Sequence, residues 1–237
     1  MRTLVAVCVV VCVAAPAGAA LLWDNGPWIT HPGTPAWSEA IELPIGGSGA
    51  TGTDVAEPGR GADDFNVPEG QIWTLTHLEF YAYQTGSGTQ STFTDAYVEL
   101  YNRDPFLGGG PTWKGESNRL TASTWSGVYR VFYAQIGDTQ RPVMKNTIDL
   151  SGLPPLSEGN YWISVGLRGS LPAGPFANFT TPGSKNDNAS QFFNGTWRKV
   201  SEQSAAIPHD FVFTLHGVPE PATLVPLALL AAALRRR

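Results

Sequence analysis

The chain predicts an all-β protein built as a single antiparallel β-sandwich, jelly-roll-like, flanked by an apolar leader and a short C-terminal apolar helix. Three observations lead there. Glycine and proline number 26 and 19 while charged residues are only 15%, a balance that favours many turns over long helices. Between positions 72 and 216 apolar residues recur with period two, and no segment outside the termini carries a helical period. Turn signals punctuate these runs at short intervals, giving roughly seven to nine strands.

The leader comes first. Met1-Arg2 supply a cationic start, residues 4–15 an apolar run, and Ala17-Gly18-Ala19 a small-x-small cleavage signal, the three parts of a secretory signal peptide over residues 1–20. Signal peptidase would cut after Ala19 or Ala20 and release an exported domain of residues 21–217. Cys8 and Cys12 both fall in the leader, outside any lipobox, so the mature chain has no disulfide and no lipidated thiol. Without Arg2 and the three terminal arginines the 15 basic residues fall to 11, against 19 acids once Glu220 is set aside, so the exported part carries about −8. A net acidic surface with no basic block excludes nucleic acid as a natural partner.

Residues 23–62, dense in Gly, Pro and Thr, read as loops around a short strand at 41–45, with 46–61 a long surface loop. Residues 72–83 form the first strong strand. Trp73 and Leu75 share one parity and Leu78, Phe80 and Ala82 the other, a phase switch that predicts a bulge or corner near Thr76-His77. Residues 94–101 alternate, with Ala96, Val98 and Leu100 on one face. After the loop Gly108-Gly109-Gly110-Pro111 comes a strand at 125–136, apolar on both faces and therefore central. A strand at 143–150 stops at Ser151-Gly152 and Pro154-Pro155. Ser157-Glu158-Gly159-Asn160 reads as a turn, followed by Tyr161, Ile163, Val165 and Leu167 on one strand face. Asn194-Gly195 accepts the positive φ values of a type I′ turn and predicts a hairpin between Phe193 and Thr196. In the last strand Phe211, Phe213 and Leu215 face inward, and Gly217 ends it.

The tail begins at Val218. Pro219-Glu220-Pro221 precede an apolar helix over 222–234, and Arg235, Arg236 and Arg237 close the chain. The prolines hold their segment extended and poor in donors, open to a processing enzyme. Thirteen helical residues rise only about 20 Å, short of the hydrocarbon core, so this is a marginal anchor that the arginines hold on the cytoplasmic side. An ordinary C-terminal anchor has the same outline.

Pro-Glu-Pro, a short apolar helix and a basic terminus, in a chain that opens with a signal peptide, resemble the PEP-CTERM sorting signal of bacterial envelope proteins. The resemblance implies that residues 218–237 are recognised and processed by an exosortase, a membrane protease-transpeptidase of bacteria that make exopolysaccharide. The body is similar to uncharacterised exported domains found before such tails, through Gly61-Ala62-Asp63-Asp64-Phe65-Asn66-Val67-Pro68, Gly159-Asn160-Tyr161-Trp162-Ile163-Ser164-Val165 and Asp210-Phe211-Val212-Phe213-Thr214-Leu215-His216-Gly217. That likeness implies the fold and no activity.

Candidate sites in the body are few. Asp63 and Asp64 suit a structural calcium ion, a glycosidase acid, or the capping of a strand entry; adjacent strand residues point to opposite faces, which argues against a dyad. His31, His77, His209 and His216 form no metal-binding spacing and no cysteine remains to help, so apart from that calcium neither a metal site nor a cofactor is expected. There is no Gly-x-Ser-x-Gly elbow. Trp113, Trp125, Trp162 and Trp197 fall in loops or on the less apolar faces, where exposed rings stack on sugars; a two-sided core explains them equally well. Asn178, Asn188 and Asn194 head glycosylation-like triplets that a turn-rich composition produces by chance. The expectation is an exported, non-enzymatic envelope or extracellular-matrix protein, membrane-tethered by its C-terminal helix until processed. The alternatives are a carbohydrate-binding module acting with exopolysaccharide and a glycoside hydrolase-like enzyme.

Overall fold

A computed structural model describes residues 18–40, 59–132, 135–172, 174–193, 195–200 and 208–221. Outside the described residues lie leader residues 1–17, Ala17 among them, the expected strand at 41–45, most of the loop at 46–61, residues 133–134, Asn194, the apolar helix at 222–234, and Arg235, Arg236 and Arg237. The strands are β1 (Ala20–Asp24), β2 (Ala36–Ala40), β3 (Arg60–Tyr83), β4 (Phe93–Tyr101), β5 (Trp113–Lys114), β6 (Leu120–Phe132), β7 (Pro142–Asp149), β8 (Leu156–Gly169), β9 (Phe176–Ala177), β10 (Ser190–Phe193), β11 (Thr196–Lys199) and β12 (Phe213–Pro221). Among the described residues the only helix is a 3-10 turn at Pro105–Leu107.

All strands belong to one large mixed sheet with β3 at its centre, in the order β2-β6-β7-β3-β8-β4-β5, and β1, β9, β10, β11 and β12 attach off that path. β3 spans 24 residues and changes partners along its length. Residues 60–67 pair with β8, residues 77–82 with β7, and β12 runs beside the stretch from Gln71 to Phe80. β1 pairs with β12, Ala20 facing Gly217.

The phase switch in the apolar pattern becomes a one-residue slip at Thr76. His216 faces His77 and Gly217 faces Leu75, so Thr76 is left over on β3. Trp73, Leu75, Leu78, Phe80 and Ala82 are consequently all 3% exposed or less. At the slip the two backbones approach so closely that a Cβ on Gly217 would stand 2.3 Å from the Thr74 carbonyl oxygen, which only glycine avoids. Leu78 and Phe80 then meet Val98 of β4, Val165 of β8, Ile148 of β7 and Leu215 of β12 in one buried cluster. β10 and β11 pair as the expected hairpin requires, with Phe193 opposite Thr196 and Gly195 at φ 78°.

Several expectations need correction. The sheet is not wholly antiparallel: β2 runs parallel to β6, Trp37 beside Tyr129 with their rings stacked at 5.3 Å. Residues 60 and 61 open β3 and are not loop. Ser157-Glu158-Gly159-Asn160 is strand, not turn, because its polar side chains tie across to β3: Asn66 Nδ2 donates to Asn160 Oδ1 at 2.8 Å and Gly70 N to Glu158 Oε2 at 2.7 Å. The strand expected at 125–136 begins already at Leu120. β12 does not end at Gly217; Pro219, Glu220 and Pro221 continue it, facing Trp73, Ile72 and Gln71. Prolines two apart remove donors from one side of a strand only, so the other side can still pair.

Candidate functional site

The slip at Thr76 decides which side chains of β3 leave the core. Beyond it Leu78, Phe80 and Ala82 point inward, so His77, Glu79 and Tyr81 line the opposite face. On β12 the partners of His77 and Glu79 are His216 and Thr214, which share that face. His77 and Glu79, neighbours on β3, therefore meet His216, remote in sequence, on the adjacent strand.

The imidazoles of His77 and His216 stack at 4.4 Å with 7° between their planes. Glu79 Oε1 receives the Lys145 ammonium at 2.8 Å. Its Oε2 lies 3.8 Å from His216 Nε2 and accepts from the hydroxyls of Thr214 at 3.3 Å and Tyr81 at 3.4 Å. Burial alone would raise the Glu79 carboxyl, but the hydrogen bond and charge of Lys145, with His216 and Thr214, outweigh it and hold the group below its usual range. His77 is lowered, first by burial and then by the neighbouring His216.

Tyr81 and Thr214 also form part of the wall of an adjoining groove of about 660 Å³, completed by Asp24, Trp28, Ile29 and Lys185 among others. Trp28 packs on Tyr81 with centroids 4.9 Å apart. Among the described residues Asp24 is the only carboxylate lining it, and glycoside hydrolysis needs two. A carboxylate, two imidazoles and an ammonium stand here beside an aromatic trough, groups able to hold an ion or a polar ligand.

The aspartate pair is split, as strand geometry requires. Asp63 pairs with Ile163 and Asp64 with Trp162, which point to opposite faces. Asp63 is 1% exposed; Asn25 Nδ2 and Phe211 N donate to its Oδ2 at 2.8 and 2.7 Å, and Asp64 N to its Oδ1 at 2.9 Å. Burial and then the Asp210 carboxylate push its pKa well up. Its acceptor positions are occupied by N–H groups, and it ties the chain after β1 to the chain before β12. Asp64 accepts from Asn186 Nδ2 through both oxygens, at 3.0 and 3.1 Å.

The four tryptophans do not form one surface. Trp162 is 6% exposed and packs with Tyr101 and Ala62 under the half-buried Trp197. Trp113, which lies on β5 and not in a loop, packs against the main core beneath the Arg119 guanidinium at 5.5 Å. Trp125 alone is exposed, at 37%. It continues into Tyr129 at 5.3 Å, and Tyr129 into Trp37.

His31 is exposed beside Glu39, and His209 leans on Phe179; neither joins the His77 and His216 pair. Ala19 and Ala20 are exposed at the start of β1. Reasoning from motif spacing missed His77, Glu79 and His216 as a group. The signal that could have found them was outward parity on two strands, combined with the predicted slip. Comparison of the chain with protein-family models, with curated proteins and with solved structures finds no match.

Proposed function

We propose that this chain is an exported bacterial envelope or extracellular-matrix protein with a non-enzymatic body. The signal peptide carries it out and the PEP-CTERM tail delivers it to an exosortase, after transient tethering by the helix at 222–234. The body is read as a β-sandwich of jelly-roll type. Support for that reading comes from a single buried cluster that takes side chains from β4 and β8 beside one half of β3 and from β7 and β12 beside the other.

The observation that carries the proposal is the tail itself: Pro219-Glu220-Pro221, an uncharged run and three final arginines in a chain with a leader. Intact-mass analysis of the native exported protein tests it. The expected result is loss of residues after Pro221 and an added mass at the new end. Retention of residues 222–237 in all surface-located material makes the tail a plain anchor and defeats the proposal.

A second reading, binding of exopolysaccharide, is favoured by the row Trp125, Tyr129 and Trp37. Trp125 is open to solvent, and Tyr129, only 9% exposed, backs it at 5.3 Å. An exposed ring held by a packed neighbour can stack on the C–H face of a sugar.

A further inference from the structure

We propose that His77, Glu79 and His216 form a binding site for a divalent transition-metal ion of the zinc class, on the outer face of β3 and β12. The three residues can each offer one donor atom with all donors within 4.8 Å of one another. Tetrahedral zinc with bonds of about 2.0–2.2 Å keeps its ligand atoms about 3.3 Å apart, so side-chain torsions suffice to close the set. His216 Nε2 and Glu79 Oε2, at 3.8 Å, are nearly there.

The surrounding hydrogen bonds leave lone pairs available on His77 and Glu79, whereas Thr214 Oγ1 stands 3.1 Å from His216 Nε2 and must turn aside for an ion to reach that nitrogen. Thr76 Oγ1 spends its only hydrogen on the His216 carbonyl, at 3.1 Å. Towards His77 Nδ1, also at 3.1 Å, that hydroxyl can therefore only accept. Nδ1 bears the proton and Nε2 keeps its lone pair, the orientation that an outer-shell partner imposes on a metal-binding histidine. Lys145 engages Glu79 through Oε1 and leaves Oε2 to Thr214, Tyr81 and His216, at 3.3, 3.4 and 3.8 Å. All three stand beyond the 2.7–2.8 Å typical of an O–H···O bond, so Oε2 has acceptor capacity that its neighbours underuse.

The scaffold is rigid where the ligands sit. Two come from alternate residues of one strand and the third lies directly across the pair, which fixes Cβ positions without help from a loop. Two imidazoles with one carboxylate suit zinc and its neighbours better than magnesium or calcium. Three protein ligands leave a fourth position for water or for a group from the groove that Tyr81 and Thr214 border.

Calorimetric titration of the full chain in detergent, purified without a histidine tag, tests the site with zinc chloride, and cobalt chloride gives a visible spectrum as a second readout. One ion per chain is expected, with a tetrahedral cobalt absorption. His77→Ala, His216→Ala and the shape-conserving Glu79→Gln should each weaken binding by at least about tenfold. A variant with His31→Ala and His209→Ala should bind as the parent does, and Lys145→Ala should bind no more weakly. Thermal unfolding of each metal-free variant shows whether it is folded, and Glu79→Gln carries the test if an alanine variant is not. No uptake at millimolar metal, equal uptake by the parent and Glu79→Gln, or loss of binding only with the His31 and His209 changes would overturn the proposal.

Discussion

Replacing Asp63 by alanine removes the acceptor that joins three parts of the fold. Phe211 N–H loses its partner in the core, Asp64 N–H loses the Asp63 carboxylate, and Asn25 Nδ2 keeps only the Phe211 carbonyl at 2.9 Å. An orphaned buried donor costs about 1–3 kcal/mol, so the substitution should destabilise the protein by about 3–5 kcal/mol. That is a large share of the 5–15 kcal/mol typical of a folded domain. Asp63→Asn keeps one acceptor oxygen and should cost less. Urea unfolding followed by tryptophan fluorescence measures both. The pH dependence adds a signed test. Because burial and Asp210 raise the folded-state pKa of Asp63 above its unfolded value, its contribution is complete below the unfolded value of about 3.9 and is lost as pH rises through the folded value. Asn at this position cannot ionise. The stability of Asp63→Asn relative to the parent should therefore climb with pH above about 4. An alanine cost below about 1 kcal/mol, less than one orphaned donor, or a relative stability of Asp63→Asn that falls as pH rises, refutes the reasoning.

Three further outcomes are expected. Gly217→Val forces a side chain to within 2.3 Å of the Thr74 carbonyl and should cost about 1–3 kcal/mol or more; amide exchange should speed up around residues 71–75, and parent-like protection there would contradict the tight slip. For Asp149, burial alone would raise the carboxyl, but the bonds from Ser151 and Arg119 outweigh it and depress the folded pKa. Its stabilising effect is thus present above the unfolded value of about 3.9 and lost as pH falls through the folded value; the gap between the parent and Asp149→Asn in denaturation series should close on acidification, and a widening gap would be the wrong sign. If the aromatic row binds polysaccharide, Trp125→Ala should abolish retardation in affinity gels cast with secreted polymer while Trp113→Ala does not; equal retardation of both would remove the row from consideration.

Where local pattern and tertiary partner agree, the chain is readable. The parity flip between Leu75 and Leu78 locates the slip at Thr76, and Asn194-Gly195 locates a hairpin, because both signals act within a few residues. The alternation of Ala96, Val98 and Leu100 likewise finds the buried face of β4. The failures all involve partners far along the chain. Arg60-Gly61-Ala62-Asp63-Asp64 has the composition of a loop, and it becomes strand because Asn25 and Phe211 satisfy a buried carboxylate. The parallel union of β2 with β6 joins residues 36–40 to 128–132, a separation over which periodicity carries no information. Pro219 and Pro221 look like breakers, yet an edge position tolerates them. His77 and His216 have no spacing motif, since their meeting depends on strand pairing and on the slip together.

The pairing of Ala20 with Gly217 has a consequence for traffic at the membrane. In an antiparallel pair the chain entering β1 and the chain leaving β12 point the same way. On the proposed route the body would hang from the bilayer by two neighbouring cords at one corner, like a lantern on a doubled string. Either cord could be cut first without unthreading the other.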